Sequence, residues 1–193
     1  MSHHRALLRS SIPVPDWWLT GAERIDRELD GLRRGQAEGI ARSPGGRPVK
    51  AVFYGEPEPD LKGTANYNSA IGARMKEAYY RKSERQRPVL FILAGVHGQE
   101  VEGMAAAMSV IRLMETGRDL RGEPRPDLLE KFERLRLIVV PLANPDGRVR
   151  VPYDGWVGLP TDEMTVWGQG TTRDGEPYKW RRSKAFHPMV GDV

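Results

Sequence analysis

The chain contains no cysteine, so it can form neither a disulfide nor a thiolate metal site. Any metal ion would therefore be held by histidine and carboxylate side chains. A long apolar run is also missing, since the longest one, residues 89–96, is far shorter than the roughly 20 apolar residues that cross a bilayer. The N-terminal segment ends in Pro-Asp-Trp-Trp and has no small-residue cleavage site. We therefore expect no membrane partner, no secretory signal and a cytoplasmic location.

The chain has no block of like charge, although its net charge is +4 and its isoelectric point is about 9.5. Its 30 basic and 26 acidic residues are interspersed, and no run reaches the about five or six like charges of an interaction tail. A recognisable nucleic-acid-binding signature is also missing. These absences predict that nucleic acid is not a partner. A hydrophobic content of 39% over 193 residues predicts a soluble globular chain with a sizeable core.

The spacing of apolar residues predicts an α/β fold, with a mixed, largely parallel sheet flanked by helices. Helices are predicted over residues 22–34, 66–81, 101–116 and 127–134, and strands over residues 49–54, 89–96 and 137–142. The other segments are predicted to be a loop over 35–48, a turn over 143–148 and a long surface excursion over 151–178. The continuous apolar run of 89–96 predicts a strand that is buried on both faces. We expect a lead-in with a short helix over 1–48 and one further unit over 49–193.

A histidine and a glutamate follow the 89–96 run, in the sequence Gly-Val-His-Gly-Gln-Glu. Ligand sites in open α/β sheets lie at the carboxyl ends of strands, and side chains three positions apart around a strand-to-helix turn can converge on one point. Imidazole and carboxylate are both good zinc ligands, so His97 and Glu100 are candidate metal ligands. The pattern also has a purely structural explanation, because the helix dipole favours Glu in a first turn and a loop histidine can simply be solvated.

Two further segments help to decide between the metal-site explanation and the purely structural one. The first is Ala-Asn-Pro-Asp-Gly-Arg over 143–148, which by composition is an ordinary turn. The second is Tyr-Lys-Trp-Arg-Arg-Ser-Lys over 178–184, in which a guanidinium beside a Trp is suited to hold a carboxylate or to polarise a carbonyl oxygen. Taken alone, this second segment would be interpreted as a solvated basic patch.

In this order, HGQE, NPDG and WRR resemble the zinc metallocarboxypeptidase family, the carboxypeptidase A-like peptidases, over roughly residues 49–184. The resemblance implies that His97 and Glu100 are two zinc ligands, so Zn²⁺ is the expected cofactor. It implies that Arg181 is the catalytic and substrate-binding arginine that polarises the scissile carbonyl. It also implies that residues 49–193 are the N-terminal part of a zinc peptidase-like catalytic domain, with a carboxypeptidase-like sheet that is incomplete in this chain.

Several residues of that family's active site have no recognisable counterpart in this sequence. They are a third zinc ligand, an Asn-Arg pair for the terminal carboxylate of the substrate, and a general-base glutamate. His187 is the one candidate for the third ligand, although it comes only three residues after the basic segment, which is early for that role. His3 and His4 are interpreted as tail residues. We therefore expect a fragment of a longer domain, with the third ligand and the base beyond residue 193.

The expected function is zinc-dependent hydrolysis of a peptide or amide bond, in which metal-activated water attacks a carbonyl. The substrates would be peptides or N-acyl amino acids. One alternative is a deacylase-type amidohydrolase, similar to the succinylglutamate desuccinylase and aspartoacylase group, which shares HxxE but in which a WRRS-like segment is not expected. Another is a non-catalytic peptide-binding protein that retains the fold, which is favoured if the natural chain ends at Val193. The sequence leaves side-chain preference, oligomeric state and physiological role open.

Overall fold

The structure is a computed structural model, and it describes residues 14–57, 66–72, 74–76 and 87–151. The helices in these ranges are α1 (Ala22–Asp30), α2 (Tyr67–Gly72), α3 (Val101–Thr116), α4 (Pro126–Glu133) and α5 (Pro145–Arg150). The strands in the same ranges are β1 (Gln36–Arg42), β2 (Pro48–Tyr54), β3 (Val89–Leu93) and β4 (Arg136–Val140). None of the described helices combines the length and the apolar character that a membrane span needs.

The four strands form one mixed sheet in the order β1-β2-β4-β3. β3 and β4 run parallel, with Leu90 opposite Leu137 and Leu93 opposite Val140. β2 is antiparallel to both β1 and β4. The predicted α/β class, a mixed sheet flanked by helices, is confirmed. In the described part of the sheet the antiparallel pairings outnumber the parallel one, in part because β1 and β2 are joined by a short hairpin turn that forces opposite strand directions.

β1 corrects the prediction of a loop over residues 35–48. Its sequence, Gln-Ala-Glu-Gly-Ile-Ala-Arg, shows no sustained apolar alternation, and nearly all of its residues are exposed. The strand exists because it pairs with β2, with a register shift between Gly39 and Ala41. An edge strand of this kind is specified by its partner more than by its own pattern. The predicted division of the chain at residue 48 stays a prediction.

The main core lies between one face of the sheet and helices α1, α3 and α4. Its sheet side consists of alternate residues of β2 and β4, which are fully buried: Val52, Leu137 and Val139. Its helix side is largely α3, which is rich in Ala and Met and has the predicted bounds. α3 ends where Gly117 adopts a left-handed φ of 74°, and the Gly117 N–H caps the Leu113 carbonyl.

β3 differs from its prediction in length and in burial. The strand ends at Leu93, three residues earlier than predicted, and it is not buried on both faces. Leu90 and Ile92 pack against the main core, whereas Val89, Phe91 and Leu93 are 41%, 55% and 47% exposed. The core helices lie on the Leu90 side, which leaves the other side of this apolar run exposed in the described part of the chain.

The remaining boundaries differ from the predictions by a few residues. α1 stops at Asp30 rather than at Arg34, because Gly31 follows it and has a poor helix propensity. Of the helix predicted over 66–81, the structure describes α2 and residues 74–76. The surface excursion predicted over 151–178 lies outside the described residues, apart from its first position.

Candidate active site

The HGQE loop, residues 94–100, joins the carboxyl end of β3 to α3. In this loop His97 Nδ1 and Glu100 Oε1 lie 2.8 Å apart, which is a hydrogen-bond distance. Which of the two atoms donates depends on the tautomer of the imidazole. The His97 and Glu100 side chains are 32% and 49% exposed, so the pair is open to solvent. The structure therefore brings the two predicted residues together, while their role as metal ligands stays a prediction.

The backbone of the loop explains why these side chains meet. The chain turns at Gly95, which has a φ of 63° and leads the chain out of β3. Glu100 occupies the N-cap position, one residue before α3 rather than inside its first turn. The Glu100 N–H donates to the His97 carbonyl at 3.1 Å. This bond closes a turn that holds the two side chains on the same side of the loop.

Gly98 is required for close packing rather than for an unusual backbone conformation. It is not among the described glycines with a positive φ. A Cβ at this position would lie 2.1 Å from the carbonyl carbon of Gly147 and 2.2 Å from the amide nitrogen of Arg148, which is too close for any side chain. The HGQE loop therefore rests directly on the backbone of α5. The left-handed backbone conformation of this loop lies instead at Gly95.

The Asn-Pro-Asp-Gly segment, predicted to be a simple turn, begins helix α5. Asn144 is the N-cap of this helix, and its Oδ1 accepts the Gly147 N–H at 2.8 Å. Pro145 occupies the first helical position. An N–H at this position has no partner within the helix, so proline, which lacks the N–H, costs no hydrogen bond there. Asn followed by Pro is the local signal from which this helix start could have been predicted.

Asn144 also contacts the HGQE loop. Its backbone N–H donates to the Gly95 carbonyl at 2.8 Å, and its side-chain Nδ2 donates to the Val96 carbonyl at 3.2 Å. Asn144 is only 5% exposed, so these bonds are largely shielded from water. The two carbonyl groups that precede His97 are therefore tied to the start of α5.

Asp146 binds a different segment, the turn between β1 and β2. Its carboxylate accepts from Ser43 Oγ at 2.8 Å, from the Gly45 N–H at 2.8 Å and from Arg47 Nη1 at 2.7 Å. The Asp146 side chain is 1% exposed. A buried carboxylate with three donors holds the hairpin turn against α5. Sequence reasoning missed this residue because its partners lie 99 to 103 positions away.

The donor set fits two of the three protein ligands of a catalytic zinc site. Zinc takes imidazole nitrogen and carboxylate oxygen at about 2.0–2.2 Å, which places two such donors about 3–3.5 Å from each other. The His97–Glu100 separation of 2.8 Å is slightly shorter and has the length of an ordinary hydrogen bond. Among the described residues, no cluster of three or more His, Cys, Asp or Glu could hold a metal. Arg181 and His187 lie outside the described ranges, so their roles stay predictions.

A sequence profile described as zinc carboxypeptidase matches residues 34–176, which is well over half of the chain. The chain belongs to the zinc carboxypeptidase family. The resemblance inferred from HGQE and NPDG is thereby confirmed at the level of the family. The matched range contains the β1–β2 hairpin, the HGQE loop and α5, and it ends before Arg181. A comparison with curated proteins found no match.

Several solved structures are similar to this chain. A metallo-carboxypeptidase from Burkholderia cenocepacia is 20% identical at a TM-score of 0.43, with 66% of this chain and 28% of that chain covered. The carboxypeptidase A from Helicoverpa armigera is 17% identical at a TM-score of 0.45, with 87% and 34% covered. A metallo-carboxypeptidase from Pseudomonas aeruginosa, in complex with (2-guanidinoethylmercapto)succinic acid, is 18% identical at a TM-score of 0.38, with 87% and 33% covered. This chain thus spans about a third or less of each protein, and the family assignment rests on the sequence match because the TM-scores are low.

Proposed function

We propose that this chain carries part of the active site of a zinc-dependent peptidase that hydrolyses peptide or amide bonds. The observation that carries the proposal is the 2.8 Å approach of His97 Nδ1 to Glu100 Oε1 at the carboxyl end of β3. This pair lies inside the range that matches the zinc carboxypeptidase family. Membership of the family supports a metallopeptidase-type hydrolase, while the zinc ion, the substrate and the mechanism are our proposal.

In this proposal, His97 and Glu100 supply two of the zinc ligands. When bound, zinc lowers the pKa of a coordinated water to about 7 and polarises the carbonyl of the substrate. Nδ1 is the ring nitrogen that faces Glu100. Ligation through Nδ1 would require a neutral imidazole with its proton on Nε2.

Arg181 is proposed to donate hydrogen bonds to the carbonyl oxygen as negative charge develops on it during attack. Its guanidinium is suited to this task because it stays charged and presents several N–H donors in a fixed plane. The mechanism also needs a third ligand and a general-base carboxylate. Peptides and N-acyl amino acids are the proposed substrates, since both present a carbonyl beside a carboxylate-bearing residue.

The proposal is tested by zinc binding to the purified full-length protein, measured by isothermal titration calorimetry and by metal analysis after gel filtration. His97→Ala and Glu100→Gln should each abolish stoichiometric zinc. Glu102→Gln is the matched control, because Glu102 lies two positions away in the first turn of α3 and is exposed. Equal zinc binding by the Glu100 and Glu102 variants would refute the proposed site. Release of a C-terminal residue, rather than of an acetyl group from an N-acetyl amino acid, would separate the peptidase from the deacylase alternative.

A further inference from the structure

We propose that Asn144 is a positioning residue for the HGQE loop, and that its carboxamide keeps His97 and Glu100 directed at one point. The inference rests on the proposed function in so far as that point is a metal site. Its starting observation is that one buried side chain joins the helix start that follows β4 to the loop that follows β3. These two strands are parallel neighbours, so their carboxyl ends meet at the same edge of the sheet.

The two ends of the Asn144 carboxamide have different partners. Oδ1 accepts the Gly147 N–H at 2.8 Å, and Nδ2 donates to the Val96 carbonyl at 3.2 Å. A backbone N–H can only donate and a backbone carbonyl can only accept, so these partners determine the orientation of the amide. Asn144 therefore has two separable roles, as a cap for α5 and as a donor to the loop.

Aspartate at position 144 would separate these roles. Asp caps helices as well as Asn does, so the bond from the Gly147 N–H should survive. The second carboxylate oxygen would instead face the Val96 carbonyl, and two acceptors repel each other. Asn144→Asp should therefore release the loop while the helix start is retained.

The packing of Gly98 determines the direction in which a released loop can move. Gly98 already lies against the backbone of Gly147 and Arg148, so the loop cannot approach α5 any further. Release of Val96 would allow movement only away from α5. Such a movement would disturb the turn in which the Glu100 N–H bonds to the His97 carbonyl, and with it the approach of the two side chains.

Amide hydrogen exchange, followed by NMR, tests this inference without metal. In Asn144→Asp, exchange of the Glu100 amide should accelerate by about tenfold, as expected for the loss of one hydrogen bond that orders the loop. Exchange of the Gly147 amide should stay close to the wild-type rate. Asn66→Asp is the matched control, because Asn66 Oδ1 accepts the Ser69 N–H at 3.1 Å at the start of a different helix, α2. That variant should change neither amide.

Zinc affinity provides the second measurement. Loss of a residue that orients metal ligands typically weakens metal binding by about 10- to 100-fold, and we expect this loss in Asn144→Asp but not in Asn66→Asp. If both variants match wild type in Glu100 exchange and in zinc affinity, Asn144 is only a helix cap and the inference is wrong. A wild-type full-length protein that binds no zinc would refute the proposed function instead, and the exchange rates would still decide the role of Asn144.

Discussion

Replacement of Gly98 by alanine tests whether the HGQE loop rests on α5 as the structure shows. The added Cβ would lie 2.1 Å from the Gly147 carbonyl carbon, whereas ordinary contacts begin at 3.4 Å, so loop and helix must separate by the difference, about 1.3 Å. Overpacking of this kind costs about 1–3 kcal/mol. The separation would also stretch the two hydrogen bonds from Asn144 to the loop, each worth about 0.5–1.5 kcal/mol net.

Gly103→Ala is the matched control for Gly98→Ala. Gly103 lies inside α3, and a Cβ there would meet only the Cβ of Ala94, at an ordinary distance of 3.8 Å. Ala is favoured over Gly within helices by about 0.5–1 kcal/mol, so this variant should be at least as stable as wild type. In urea unfolding followed by circular dichroism, we expect the free energy of unfolding of Gly98→Ala to be about 2–4 kcal/mol below wild type. Equal free energies for the two variants would show that the close contact with α5 does not exist.

Two further predictions concern carboxylates that join distant segments. Burial raises the pKa of Glu115, but hydrogen bonds from the backbone N–H groups of residues 33–35 and from Tyr54 outweigh burial and hold the pKa below its ordinary value. A carboxylate whose pKa is lowered in the folded state stabilises the fold at pH values above its unfolded pKa. Glu115→Gln should therefore lower the free energy of unfolding by about 1–3 kcal/mol at neutral pH, and by nothing once the pH has fallen through the folded pKa. A difference in the urea midpoint between variant and wild type that persists at acid pH would contradict this. Asp146→Ala should lower the free energy of unfolding by about 2–4 kcal/mol, since it leaves three donors without the carboxylate. Ser43→Ala should cost less, about 1–2 kcal/mol, since it removes one of these three bonds and the bond that Ser43 Oγ accepts from the Arg47 N–H. Equal losses in urea unfolding would mean that the carboxylate does not hold the hairpin turn.

The features that could be predicted from the sequence are those that depend on neighbouring residues. The bounds of α3 follow from its apolar spacing and from the glycine after it, and both signals lie within the helix and its C-cap. β2 and β4 were located to within two residues because their buried positions are apolar in the sequence. The pairing of His97 with Glu100 followed from a short spacing across a strand-to-helix turn, which the local backbone alone can close.

The sequence by itself thus determined the family, the class of fold and the pair of side chains at the end of β3. Only the tertiary structure decided that β1 is a strand, that Gly98 is needed for contact with α5, and that the Asn-Pro-Asp-Gly segment is a junction rather than a turn. The physical reason is the distance along the chain between partners, which is 48 positions from Asn144 to Val96 and 103 from Asp146 to Ser43. A hydrogen bond between residues so far apart leaves no periodic trace in either segment, and it can be recognised only when the folded sheet has brought the two together.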